Sequence, residues 1–188
     1  FVGDGMSLPT VAAARILDGQ RKGGPGEENA LSWEHFPHTA LSKTYNTDSQ
    51  TPDSAGTMTA MVTGSKTRMG VLSVGPSVSR GDCAPARGTE LPSLLEIAES
   101  AGLATGIVTT TRLTHAPPAA TYAHVSERDW EVDSKLPDSA RARGCRDIAR
   151  QFAEFEFGDG IEVAMGGGRS HFLPAGADDP EHAQFPGD

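Results

Sequence analysis

Short apolar segments alternate with helical patterns along this chain, and that alternation restricts the fold more than any other feature. A strand pattern at residues 105–111 precedes a long helical stretch at 138–157, and another strand pattern follows at 161–165. Strands separated by a helix cannot pair through a tight turn; they pair in parallel across a crossover. The fold class expected is therefore α/β, a mostly parallel central sheet with helices on both faces. Residues 9–18 read as a helix, with Pro9 in its first turn and Val11, Ala12, Ile16 and Leu17 on one face. Residues 38–45 alternate as a strand, and a helix is expected to start at Asp53 or Ser54, just beyond Pro52. Residues 91–101 form an amphipathic helical pattern, with Thr89 and Glu90 at its start and Gly102 where a helix ends. Residues 19–30 and 74–90 read as surface loops, and residues 1–6 as the end of a buried strand entering a turn. Residues 180–188 are polar with no closing element, so the chain is expected to be incomplete at both ends.

Composition narrows the classes of function. Of 188 residues, 37% are hydrophobic and 22% charged, which suits a soluble globular domain rather than a disordered one. A formal charge of -9 argues against a nucleic-acid groove, because a phosphate backbone needs a basic face. Bound cations can still supply local positive charge on such a background. No apolar run approaches the ~20 residues that cross a bilayer, and no signal-peptide pattern opens the chain. The two cysteines, Cys83 and Cys145, allow one pairing, and residue chemistry alone leaves a bridge and two buried thiols equally open.

Three points carry candidate chemistry: an acid after a strand, a serine at a helix start, and a histidine and arginine after another strand. In a parallel sheet such points converge beyond the carboxyl ends of the strands. Asp4, followed by Gly5, offers carboxylate oxygens to a cation, although an Asp-Gly turn has the same sequence. Ser54 lies where orphan helix N–H groups favour phosphate oxygens, and a metal beside it would make its hydroxyl a nucleophile; a plain helix cap is the simpler reading. His115 and Arg128 follow the 105–111 strand, and the arginine fork suits two phosphate oxygens, though lone surface groups look the same. Gly64-Ser65-Lys66-Thr67 lacks the upstream glycine of a P-loop. From residues alone, this is a metal or phosphate site in an α/β protein and nothing narrower.

A resemblance narrows it. Phe1-Val2-Gly3-Asp4-Gly5-Met6, residues 39–47 (TALSKTYNT), 52–57 (PDSAGT), 106–112 (GIVTTTR) and 121–124 (TYAH) resemble alkaline phosphatases. So do His115-Ala116, Arg128-Asp129-Trp130, residues 144–149 (GCRDIA) and 165–169 (MGGGR), in order along the whole chain. The resemblance is strongest to the branch holding the animal enzymes and their bacterial relatives. It implies a three-layer sandwich, incomplete here, with residues 1–188 the N-terminal part of a single catalytic domain. It implies a phosphomonoester hydrolase that works through a phosphoserine on Ser54, with two zinc ions and a magnesium ion in the full-length enzyme. Asp4 would bridge one zinc and the magnesium, Ser54 would ligate that zinc, and His115 would serve the magnesium site. Arg128 would clamp phosphate, with Asp53 orienting it. Cys83 and Cys145 match a family disulfide, and Glu181 resembles a calcium ligand of the animal branch. Phosphate monoesters and inorganic phosphate are the implied partners, a homodimer the implied assembly, and the periplasm or extracellular space the implied location.

Two departures bear on this. Family members carry Thr or Ser two residues after the position of His115, where this chain has Pro117, which offers the magnesium no oxygen. The family's remaining metal ligands lie later in sequence than Asp188. The chain taken alone is then expected to be inactive, and its alternative reading is a non-catalytic phosphate-binding or structural fragment. A sulfatase is disfavoured, since Ser54 is followed by Ala55-Gly56-Thr57 and not by the C/S-x-P-x-R setting such enzymes need.

Overall fold

The computed structural model describes residues 1–174 and 177. The chain divides into two compact units, 1–43 and 44–188. In the first, helix α1 (Leu8–Arg21) opens with Ser7 as its N-cap residue and Pro9 in its first turn. Asn29 folds back on this helix, donating to Arg15 O at 3.0 Å and to Asp18 Oδ2 at 2.7 Å. Gly26, at φ 103°, packs directly on the Ile16 backbone, an approach no side chain would permit. Residues 1–6 are not a strand: they are exposed and turn at Asp4-Gly5. Residues 38–45 are likewise exposed and join no ladder among the described residues. Alternation alone cannot make a strand, because its N–H and C=O groups need a neighbouring strand.

The second unit is built on two parallel strands, β1 (Gly106–Arg112) and β2 (Val163–Gly167). Gly106 pairs with Val163 and Val108 with Met165; the register then shifts, so that Arg112 meets Gly167. Gly106 lets this pairing close, since a Cβ there would lie 3.1 Å from Val163 Cβ. Between the strands run α4 (Ala116–Ala119), α5 (Asp138–Ala142) and α6 (Ile148–Ala153); α2 (Ser54–Thr63) and α3 (Leu94–Ser100) precede them. The core joins Ala55 of α2 to Leu72, Ile107, Ala119, Tyr122, Trp130, Leu136 and Ile148. The parallel α/β organisation is as the alternation implies. No helix among the described residues is long and apolar enough to cross a membrane.

Two helix expectations and two loop expectations need correction. The 138–157 stretch is two short helices, broken at Gly144 (φ 75°), whose left-handed backbone ends α5. The 91–101 helix starts later, because Ser93 and Glu96 form a capping box: Ser93 Oγ accepts from Glu96 N at 3.1 Å, and Glu96 Oε2 accepts from Ser93 N at 2.7 Å. Its buried face also carries Glu96 and Glu99, 1% exposed each, while Leu94 and Ile97 are 67% and 56% exposed. Residues 74–90 are not surface throughout, since Val74, Val78 and Ala86 are buried with Val71 in a second small core. Of 19–30, residues 19–21 complete α1, with Gly19 buried.

Candidate active site

Asp53 and Ser54 occupy the N-terminus of α2, where the first backbone N–H groups have no helical acceptor. Asp53 is the N-cap residue, and its Oδ1 accepts from Gly56 N at 3.0 Å. The cap is positioned from behind by Asn46, 3% exposed, whose Oδ1 accepts from Asp53 N at 2.9 Å. Asn46 fills the space beside Gly56, where a Cβ would overlap its Nδ2. Thus Asn46, within the segment matched at 39–47, is a positioning residue that residue chemistry did not single out.

Arg128 reaches this helix end from the loop after Val125, a residue bridged to Leu72. Its backbone N–H donates to Gly70 O at 2.8 Å. Its Nη1 donates to Asp53 Oδ2 and to Ser54 Oγ, both at 3.0 Å. Its Nη2 stands 3.3 Å from His115 Nε2, which must be the acceptor because a guanidinium can only donate. His115 sits at the N-cap of α4, its own N–H on Arg112 O at 3.0 Å. One guanidinium therefore gathers Asp53, Ser54 and His115, residues 53 to 128 in sequence. The acids flanking Arg128 are occupied elsewhere: Arg80 binds both oxygens of Glu127 at 2.7 Å and Asp129 Oδ2 at 2.9 Å. That leaves Asp53 as the carboxylate facing Arg128.

The other expected residues fall as follows. Asp4 lies in the exposed turn of the first unit, with Gly5 at φ 66°. Cys83 and Cys145 form a disulfide. Pro117 lies in the first turn of α4, where its fixed φ and missing N–H are tolerated. Glu181 lies outside the described residues.

Two charged assemblies in the second unit went unread in the sequence. Arg112, at the end of β1, holds Glu131 through Nε–Oε2 at 2.7 Å and Nη2–Oε1 at 2.9 Å, and Thr114 donates to Oε2 at 2.8 Å. Burial pushes the Glu131 carboxyl up, but these hydrogen bonds and the Arg112 charge outweigh it and hold the group down to about 2. His124 contacts two acceptors, Ser73 O and Glu96 Oε1, each at 2.7 Å, an arrangement that suits the doubly protonated ring. Burial lowers its affinity for the proton, yet the Glu96 hydrogen bond and charge raise it above the ordinary 6.5. Such contacts lie 17 to 51 residues apart, beyond the reach of local pattern.

Comparison with known proteins identifies the family. The family model described as alkaline phosphatase matches residues 1–188. An alkaline phosphatase of Gadus morhua is 49% identical over 186 residues, 99% of this chain and 39% of that protein. The solved alkaline phosphatase of Thermus thermophilus superposes with a TM-score of 0.68 at 30% identity, covering 99% of this chain and 33% of that one. A variant of the TAB5 alkaline phosphatase, solved with magnesium in its M3 site, gives a TM-score of 0.57 at 25% identity, over 78% of this chain and 34% of that one. The chain thus spans between a third and two fifths of the length of these proteins. With the family model matched from end to end, and nearly half of all residues shared with a curated relative, this chain belongs to the alkaline phosphatase family.

Proposed function

We propose that the protein containing this chain hydrolyses phosphate monoesters through a phosphoserine formed on Ser54. The observation that carries this reading is the pair of 3.0 Å hydrogen bonds from Arg128 Nη1 to Ser54 Oγ and Asp53 Oδ2. A serine that merely capped a helix would need no guanidinium on its hydroxyl. A cation at that distance favours the alkoxide over the hydroxyl, which is what nucleophilic attack requires. Asp53, held by Asn46 and by its own cap, keeps the guanidinium turned toward the helix end.

The donor set also fits the metals that the family resemblance implies. Asp4 offers carboxylate oxygen and Ser54 a hydroxyl oxygen, donor types that zinc accepts and magnesium shares, while the His115 imidazole would reach a magnesium through a bound water. Asp4 and Ser54 would hold a zinc, and Asp4 and His115 would serve the magnesium. Bound there, these ions would neutralise phosphate charge and stabilise the departing alkoxide. The chain spans 39% of its Gadus morhua relative, so a second reading for the chain on its own is a phosphate-binding fragment without turnover, within a single larger catalytic domain.

The steps carried by this chain follow from its geometry. A phosphate dianion approaches the N-terminal end of α2, where N–H groups and Arg128 face it. Arg128 passes from Ser54 Oγ to the phosphate oxygens, which its planar fork matches. Ser54 Oγ then attacks phosphorus; the O–P bond forms as the ester P–O bond breaks, the Ser54 hydroxyl proton passes to water, and water returns a proton to the departing alcohol. Water attacks the phosphoserine next, releasing inorganic phosphate and restoring Ser54. Recognition falls on the phosphoryl group, so the alcohol can vary. The disulfide supports an oxidising location, periplasmic or extracellular. A homodimer is part of the same proposal, on the resemblance alone.

Acid-quenched protein incubated with a phosphate monoester should carry phosphate on Ser54 by mass spectrometry, and Ser54→Ala should abolish both label and turnover. Phosphate found on another residue would overturn the assignment.

A further inference from the structure

A cluster of three acids lies on α3 and the turn before β2. Glu99, Asp159 and Glu162 each present a carboxylate oxygen, and these atoms all lie within 4.8 Å of one another. Among the described residues, no lysine or arginine forms an ion pair with any of them. Three like charges at such range repel, and something must offset them.

The buried member points to what. Glu99 is 1% exposed, and its Oε2 is shut off from solvent with no hydrogen-bond partner among the described residues. A buried carboxylate oxygen left unmatched is costly unless a charge meets it. That oxygen faces the turn carrying Asp159: a Cβ added at Gly158 would stand 2.5 Å from it. Gly158 (φ 57°) and Gly160 (φ 101°) give the turn a backbone that side chains rarely allow, so the approach depends on glycine. Thr105, just before β1, joins the remaining pieces. Its Oγ1 donates to Glu99 Oε1, and its N–H donates to Glu162 Oε2 at 2.6 Å. One residue thus holds two carboxylates side by side, while Glu99 sits in the last turn of α3, the end where helix carbonyls already favour a cation.

We propose that Glu99, Asp159 and Glu162 form a calcium site distinct from the Ser54 centre. Oxygen-only donors select a hard cation over zinc. Three carboxylates from a helix end and a turn suit calcium, with its six to eight ligands and loose geometry; magnesium keeps several waters and takes one or two carboxylates. Water completes the shell on the open side, where Asp159 and Glu162 are exposed. Bound calcium would tie the end of α3 to the strand entry of β2 and so brace the sheet.

The test is calcium binding by equilibrium dialysis on the full-length protein, beside the double variant Asp159→Asn/Glu162→Gln, whose altered residues are exposed and leave folding intact. Wild-type protein is expected to hold one more calcium per chain than the variant, or to hold it at least tenfold more tightly. Phosphomonoester turnover should be unchanged, because no changed residue touches Ser54 or Arg128. Calcium should also raise the melting temperature of the wild type more than that of the variant. Glu181→Gln serves as the control for the calcium ligand that the family resemblance implies, and it should leave this binding in place. Equal stoichiometry and affinity in wild type and double variant would overturn the proposal. So would a stabilisation of the variant without calcium and no calcium response in the wild type, since repulsion among the three acids would then be the whole account.

Discussion

Replacing Asp53 separates two roles that one side chain holds together. Asp53 caps α2 through Gly56 N and pairs with Arg128 Nη1 at 3.0 Å, with the two side chains 17% and 20% exposed. Asparagine caps a helix about as well as aspartate, whereas alanine forfeits about 1 kcal/mol of capping. The substitution Asp53→Asn would keep an oxygen for either Gly56 or Arg128 but would lose the charge. A hydrogen bond to a charged group contributes about 1.5–3 kcal/mol, so this variant should lose half of that, about 0.8–1.5 kcal/mol. Asp53→Ala loses cap and pair together, about 2.5–4 kcal/mol by the same reasoning. It also leaves Arg128 free to swing from Ser54. Urea unfolding of the full-length protein reads the stability order, and inhibition by inorganic phosphate reads the guanidinium. Both variants should bind phosphate about tenfold more weakly, one step of about 1.4 kcal/mol. Equal stability losses for the two substitutions would refute the capping role. Unchanged phosphate inhibition in both would refute the claim that Asp53 orients Arg128.

Three further expectations follow from the same structure. The Cys83–Cys145 bridge spans 62 residues, which in the chain-entropy model corresponds to about 4 kcal/mol; thiol labelling of native protein should find neither cysteine, and reduction should lower the melting temperature. Glu131 titrates near 2 when folded against an ordinary 4.5, so its stabilisation is complete above pH 4.5 and disappears as pH falls toward 2. His124 is raised above 6.5, so its contribution is complete below that pH and is lost as pH climbs through the raised value. Glu131→Gln should therefore flatten the acid limb of a stability–pH curve, and His124→Gln the limb above pH 6.5; curves parallel to the wild type would count against these pairs. If the magnesium site that the family resemblance implies is present, Pro117 brings it no side-chain oxygen, so activity of metal-stripped, zinc-reconstituted protein should need more added magnesium than that of Pro117→Thr. Identical titrations would show that Pro117 does not touch the third metal.

The sequence by itself determined the parallel α/β class, the start of α2 at Asp53-Ser54, and the paired cysteines once the family resemblance was seen. Each rests on signals carried by neighbouring residues: alternation of strand and helix patterns, a capping residue after Pro52, a run of matched motifs. The tertiary structure decided the rest. It showed Arg128 bridging Ser54, Asp53 and His115, a contact across 74 residues that no local period encodes. It placed Asn46 behind the cap, and it turned α3 so that Glu96 and Glu99 are inside while Leu94 and Ile97 are out. An amphipathic pattern names the apolar face, but burial follows from partners, and here His124 supplies one from 28 residues away and Thr105 another from just beyond the helix end. The strand patterns at 1–6 and 38–45 failed for the same reason. A strand is a property of two segments, and one segment's sequence cannot say whether the second is beside it.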